Sequence, residues 1–328
     1  PPVYDRSGLK ITQEQQAKLE AEGRKPHWRF LLADEDVHWN DLVRGPTRFE
    51  AKHMSDPVLF RADGIPTYTL SSVEDDGRLG ITHVIRGEDH VTNTAVQVQL
   101  FKALGHHVPE FAHLALLKTT AGEMSKRVGG FDIRDLRARG VEPLAIASLL
   151  ARLGTSDPVE LRASLEELAA HFEITHFGRA PVVYDEAELW RLNAKYFSHL
   201  SFAEVKDRLS AFADEADESF WLAVRGNLEK LSDAALWWSV CRKPLAPVIE
   251  DVAFTTEASA LLPEGSWTAE TWKTWTKTVQ EKTGRKGKTL FHPLRLALTG
   301  VEHGPELALL LPLIGPERAR ARLQGRTA

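Results

Sequence analysis

Cysteine is nearly absent from this chain. Its 328 residues contain one, Cys241, which excludes an internal disulfide and a thiolate zinc cage. That scarcity suits a reducing compartment and sets two expectations, a cytoplasmic location and no zinc in this chain. Long hydrophobic runs are missing as well. The longest lies near Leu307–Ile314, Pro312 interrupts it, and it is too short to span a bilayer, so no membrane partner is expected. No secretory signal opens the sequence. Pro1-Pro2-Val3-Tyr4-Asp5 suits neither a native start nor an export signal, and the expectation is that the true N-terminus lies upstream. There is no excess of positive charge: the net charge is −5. Total charge therefore does not announce a nucleic-acid binder, although a local basic face is compatible with it. Internal repeats and low-complexity linkers are also lacking.

What is present is an ordinary globular composition, 43% hydrophobic and 27% charged, in a chain long enough for two or three domains. Thr12 and Gln15 form a capping box for a helix that Gly23 stops. His27–Ala33 alternates like a strand. Pro57–Ala62 and Thr67–Leu70 read as a hairpin turned by Asp63-Gly64. Gly80–Ile85 reads as a buried strand, Asn93 or Thr94 as the cap of a helix over Ala95–Leu104, and Phe111–Leu117 as a further strand. Strand, helix, strand implies a parallel βαβ unit. From Asp132 onward nearly every segment has helical period, over 132–139, 143–153, 160–172, 185–197, 202–212, 219–231, 233–242, 269–283, 293–298 and 316–323. Seven of nine tryptophans lie at or after Trp190. The fold class is α/β followed by all-α.

Two stretches carry candidate chemistry. Val84-Ile-Arg-Gly-Glu-Asp-His90 ends a strand with a cation and two carboxylates, at the place where open parallel sheets bind ligands. Arg86 could grip a substrate carboxylate or pair with Glu88 or Asp89. Those two acids suit either a ligand contact or the first turn of a helix. His90 is read as lining a pocket, since it and His83, His106, His107 and His113 lack zinc spacing. Gly122-Glu-Met-Ser-Lys-Arg-Val-Gly129 offers Ser125, Lys126 and Arg127 between glycines. It suits a phosphate or plain solvation, and it is not a Walker loop. Lys282, Arg285, Lys286, Lys288 and Arg295 form a run without acids, placed on a loop around Gly284 and Gly287. It reads as a solvated face or an RNA-phosphate contact. Trp267, Trp272, Trp275 and Trp237-Trp238 read as helical core in preference to base stacking.

In this order the motifs resemble the glutamyl-tRNA synthetases over nearly the whole chain. The matching stretches are Asp56-Pro-Val-Leu-Phe-Arg-Ala-Asp-Gly-Ile-Pro-Thr-Tyr68, Val73-Glu-Asp-Asp76, Ile81 through His90, Phe111-Ala-His-Leu114 and the Ser-Lys-Arg loop. Leu189-Trp-Arg-Leu-Asn193 with Tyr196, and Pro293 through Gly300, follow. The resemblance implies the second half of a class I Rossmann-like catalytic domain followed by helical domains. It also implies ATP-dependent activation of glutamate and its transfer to the 3′ end of tRNA. Tyr68, Arg86 and His90 match glutamate-pocket positions. Met124, Ser125, Lys126 and Arg127 match the lysine-signature loop, with Met124, Ser125 and Lys126 toward ATP and its Mg2+, and Ser125, Lys126 and Arg127 in catalysis.

Two departures stand out. Glu123 replaces the first lysine of the signature, and the family's Pro-x-Pro-Thr-Gly-x-x-His-x-Gly string does not occur. The expectation is a chain that begins inside the inserted acceptor-end domain (1–54). It continues through the second half of the catalytic fold (55–117) and a stem-contact domain (118–200) to helical anticodon-binding modules (201–328), and is inactive alone. The expected partners are glutamate, ATP and tRNA(Glu), with tRNA(Gln) as a second acceptor. Arg285, Lys286, Lys288 and Arg225 are the RNA-contact candidates. The alternatives are a non-catalytic tRNA-binding protein, the shortened glutamyl-queuosine relative, against which 201–328 argues, and glutaminyl-tRNA synthetase, whose β-barrel anticodon domains the helical half disfavours.

Overall fold

The computed structural model describes residues 3–119, 122–123 and 132–328. They fall into two compact units. One comprises Pro1–Val128, Arg152–Val159 and Ala169–Tyr184, the other Gly129–Ala151, Glu160–Leu168 and Asp185–Ala328.

The first unit is α/β. Its elements are α1 (Gln13–Ala21), β1 (Trp28–Arg29), β2 (Val37–Asp41), β3 (Gly45–Phe49), β4 (Val58–Phe60), α2 (Tyr68–Leu79), β5 (His83–Gly87), α3 (Val91–Ala103), β6 (Glu110–Leu114), β7 (Leu117–Thr119), β8 (Gly122–Glu123) and β9 (Val182–Val183). The central sheet has the order β3-β2-β6-β5. Both β5 and β2 run parallel to β6, and β3 closes antiparallel on β2. The β5–α3–β6 crossover is the expected βαβ unit, and α3 is buried on most of its surface: Thr94, Ala95, Gln97, Val98, Gln99, Leu100 and Phe101. Val37, Val73, Val98, Phe101 and Phe111 centre the core. The β2–β3 turn is set by Asp41, whose Oδ1 accepts the amides of Val43 and Arg44 at 3.1 and 3.0 Å, the local bonding that makes Asp a turn residue.

Four expectations need correction in this unit. The buried strand expected over 80–85 is β5, which starts at His83 and has no buried residue. The hairpin at Asp63-Gly64 has its turn, with Gly64 at φ 80°, but its second arm ends at Thr67, and Tyr68–Leu79 is helix. Leu70 and Val73, three apart, both meet the core, and that helical spacing outweighs the short alternation before it. The strand expected over 27–33 is only Trp28–Arg29. Asn93 and Thr94 cap nothing. A 3-10 turn, Glu88–His90, runs straight into α3, and Thr94 is turned inward to a different bond.

The second unit is helical: α4 (Ile133–Arg139), α5 (Pro143–Leu150), α6 (Leu165–Ala170, at a sequence junction between the units), α7 (Glu186–His199), α8 (Phe202–Leu209), α9 (Glu218–Val224), α10 (Ala234–Arg242), α11 (Val252–Ala260), α12 (Ala269–Thr283), α13 (Lys288–Thr299), α14 (Leu307–Ile314) and α15 (Pro316–Leu323). Aspartates start many of them. Asp132, Asp185, Asp217 and Asp251 each accept an amide of the first turn, a cap worth about 1 kcal/mol. Trp221, Trp275, Phe197, Leu294 and Leu310 lie at the core, with Trp267, Trp272 and Trp238 packed on it, as the core reading of the tryptophans expects.

This unit also departs from expectation. The helix α11 has no counterpart among the segments of helical period. The helix expected from Pro293 starts at Lys288, with Pro293 buried inside it, so Lys288 belongs to a helix and only residues 284–287 form the loop. The segments at 160–172 and 219–231 yield the shorter α6 and α9. Leu307–Ile314 is a buried helix with Pro312 within it. No helix among the described residues is long and apolar enough to cross a membrane.

Candidate active site

Parallel pairing places Arg86 of β5 opposite His113 of β6, one step from the strand end. In a pleated sheet registered neighbours point to the same face, here the face that α3 covers. The guanidinium is consequently held on three sides. Its Nη2 donates to Thr94 Oγ1 and to Gln97 Oε1, each at 2.7 Å, and its Nε donates to His113 Nε2 at 3.3 Å. Thr94 and Gln97, three apart on α3, are 0% and 2% exposed. Gln97 Nε2 donates onward to Ser72 Oγ of α2 at 3.0 Å. The guanidinium also lies 5.7 Å from the centre of the Phe111 ring.

Every one of these acceptors is uncharged. The anticipated pairing with Glu88 or Asp89 does not occur: Glu88 pairs with Arg44 at 2.8 Å, and Asp89 lies 3.7 Å from His90. Among the described residues no carboxylate forms an ion pair with Arg86. Asp76 on α2 is the carboxylate that senses it. Burial raises the Asp76 pKa, and the charge of Arg86 works against that rise. A half-buried cation whose bonded partners are neutral can accept an anion, because burial leaves its charge poorly compensated.

Behind Arg86 lies a buried acid–imidazole pair. Asp41 Oδ2 lies 2.5 Å from His113 Nδ1, and both residues are 1% exposed. Burial opposes the charge on Asp41. The His113 side chain and the amides of Arg44, His113 and Val43 together outweigh it and hold the carboxyl below its ordinary range. For His113 burial wins over the attraction of Asp41, so its pKa is pushed down. The imidazole is neutral at neutral pH, with its proton on the nitrogen that faces the carboxylate.

Tyr68, the first residue of α2, meets His90, at the start of α3, edge to face with ring centres 5.9 Å apart. Thr94 Oγ1 lies 3.3 Å from the His90 carbonyl, which links that pair to the Arg86 cradle. Tyr68, Arg86 and His90 thus gather at the sheet's C-terminal edge. Asp41 and Gln97 do not stand out in the sequence, and Thr94 and His113 stand out there only as a helix cap and as part of a matched motif. The available signal is a histidine inside an apolar strand, opposite an arginine that ends another.

Met124, Ser125, Lys126 and Arg127 fall outside the described residues. In the helical unit, Lys286 and Lys288 are exposed. Arg285 pairs with Asp251 at 2.5 Å and stacks 4.0 Å over Phe254. Arg225 donates to the Leu200 carbonyl at 2.9 Å. No group of three or more His, Cys, Asp or Glu residues able to hold a metal occurs among the described residues.

Comparison with known proteins decides the family. Residues 1–191 match the catalytic domain of the class I tRNA synthetases for E and Q, and residues 159–326 match an anticodon-binding domain. Glutamate–tRNA ligase 2 of Methylobacterium sp. (strain 4-46) is 54% identical over 331 aligned residues, covering 100% of this chain and 74% of that protein. The chain belongs to the glutamate–tRNA ligases. The ligase of Azospirillum brasilense is 52% identical with the same coverage. Among solved structures, a glutamate–tRNA ligase from Elizabethkingia meningosepticum CCUG26117 in complex with its amino acid superposes with a TM-score of 0.77. It is 26% identical, and the match covers 96% of this chain and 70% of that one. The glutamate–tRNA ligase fold accounts for both parts of the architecture, a class I sheet carrying the Arg86 cradle and a helical anticodon-binding part.

Proposed function

We propose that this ligase binds glutamate at the Arg86 cradle, with Tyr68 and His90 flanking the amino acid, and activates it with ATP. The observation that carries the reading is the half-buried guanidinium whose described partners are all neutral. A carboxylate complements it in charge and can accept from the N–H groups of Nη1 that the neutral partners leave open. Activation joins a glutamate carboxylate oxygen to the α-phosphorus of ATP and expels pyrophosphate. The 3′-terminal hydroxyl of the tRNA then attacks the activated carbonyl, and AMP leaves. Met124, Ser125, Lys126 and Arg127 are the proposed ATP contacts on the strength of the signature motif, with Mg2+ entering as the nucleotide's counterion. Lys126 is assigned the growing charge on pyrophosphate and Ser125 and Arg127 the neighbouring oxygens, work that is positioning and electrostatics.

The proposed acceptor is tRNA(Glu), with tRNA(Gln) as the second acceptor to assay, and the proposed location is the cytoplasm. The proposed division of labour gives the acceptor end to residues 1–54, catalysis to 55–117, stem contact to 118–200 and the anticodon to 201–328. Arg285, Lys286, Lys288 and Arg225 are the RNA-contact candidates of the last segment. The test is Arg86→Lys in the full-length ligase. A compact ammonium cannot reproduce the planar fork, so the KM for glutamate rises much more than the KM for ATP. Equal effects on both substrates would reduce Arg86 to a structural residue.

A further inference from the structure

We propose that Asp41 and His113 are positioning residues for glutamate recognition, which set the orientation in which Arg86 meets its carboxylate. The proposal rests on the reading of Arg86 as the glutamate contact. Three observations carry it. First, the pair is buried and directed: Asp41 Oδ2 faces His113 Nδ1, and Asp41 Oδ1 accepts the amides of Val43, Arg44 and His113 at 3.1, 3.0 and 3.2 Å. An ionised carboxylate only accepts hydrogen bonds, so the facing Nδ1 must carry the imidazole proton. Second, the other ring nitrogen faces donors. His113 Nε2 lies 3.3 Å from Arg86 Nε and 2.9 Å from Thr94 Oγ1. Only the tautomer that Asp41 imposes leaves a lone pair there. The opposite tautomer would set N–H against N–H at Arg86.

Third, the donor count assigns each edge of the guanidinium. Nε is taken by His113, and the two Nη2 hydrogens are taken by Thr94 and Gln97. Among the described residues nothing bonds Nη1, which is left with two N–H groups for a ligand. A long side chain with several rotors is thereby held ready before substrate arrives, which lowers the entropy cost of binding.

The experiment is Asp41→Asn, with glutamate and ATP kinetics of tRNA charging in the full-length ligase and 15N NMR of the His113 ring. A carboxamide can accept from or donate to Nδ1, so both tautomers become available. The expected result is a His113 signal showing mixed tautomers and a KM for glutamate raised roughly tenfold or more, the scale found when a partner that orients a metal-ligating side chain is removed. The KM for ATP, and kcat at saturating glutamate, should stay within about twofold, well below that change. Unaltered glutamate KM, or equal rises for glutamate and ATP, overturns the proposal. If Asp41→Asn does not fold, Thr94→Val and Thr94→Ser decide. The first removes the hydroxyl at constant shape and should raise the glutamate KM. The second restores the hydroxyl and should rescue it, and equal behaviour of the two overturns the proposal. Arg86→Lys separates the two readings. If it leaves the glutamate KM unchanged, the substrate assignment itself fails. If it raises that KM while Asp41→Asn does not, only the positioning role fails.

Discussion

Arg86 and Arg322 both sit in protein without an ion-paired carboxylate, and their donor sets explain why one is a candidate site and the other is not. Arg322 is fully buried, and burial brings its pKa down to about 10. Its nitrogens donate to the carbonyls of Val240, Leu298, Lys243 and Ala328, so they are occupied with backbone and nothing is offered to a ligand. Arg86 keeps one nitrogen unclaimed. The difference cannot be read from residue type, because it depends on which donors the fold occupies. The strand-end position of Arg86 was legible, whereas its partners are supplied by the fold: His113 through sheet register, with Asp41 behind it, and Thr94 and Gln97 through α3. Their acid–base chemistry yields a residue-scale prediction. His113 has a folded pKa below its ordinary 6.5, with Asp41 favouring its proton and burial, Arg86 and Arg44 opposing it. Below pH 6.5 the unfolded chain takes up a proton that the folded chain refuses, so stability is present above that pH and is lost as pH falls through the depressed folded value. The Asp41 share is lost further down, below its ordinary 3.8. Amide exchange in α3 and β6 should accelerate from pH 7 to 5.5 beyond the intrinsic pH dependence, and His113→Gln should flatten the trend. Exchange in wild type that follows the intrinsic dependence alone would refute the assignment.

At the scale of elements, long periodic helices with aspartate or threonine starts were legible. The misses have identifiable causes. α2 lacks a broad apolar stripe, Val73 being its one buried residue, and it follows a sound turn signal, so the local pattern favoured a hairpin. α13 carries a proline in its interior, which the usual placement of proline at a helix start disguised. The segment after it contains a close approach that tolerates only glycine. Gly304 has φ 144°, and a Cβ there would lie 2.0 Å from the Trp237 ring of α10. We predict that Gly304→Ala destabilises the helical unit by about 1–3 kcal/mol, the range for overpacking, with backbone strain in addition. Thermal unfolding would show a lower Tm, and an unchanged Tm would mean that the ring moves aside freely.

For the whole molecule, a net charge of −5 makes any RNA contact a local matter. The acid-free run at 282–295 remains the candidate, but its members are not equivalent. Arg285 is committed to Asp251 and Phe254, while Lys282, Lys286 and Lys288 are exposed. Replacing the three lysines with alanine should weaken tRNA binding similarly for matched and mismatched anticodons. It should also reduce the salt slope by up to about 2.1 to 2.7 units, at roughly 0.7 to 0.9 for each phosphate no longer neutralised. Arg285→Ala should instead lower the stability of the helical unit. An unaltered slope in the lysine variant would leave this run as solvated surface.

The first unit is not continuous in sequence: β9 returns to lie parallel to β7, pairing Leu117 with Val182 and Lys118 with Val183. A ribosome delivers the chain from the N-terminus at about 5–20 residues per second. The edge of β7 therefore waits about 3 to 13 seconds for its neighbour at that pace, while segments of the helical unit emerge in between. Such an open edge is a template for pairing with other nascent chains. Synthesis speed across residues 120–181 therefore sets how long each newborn molecule is exposed to aggregation.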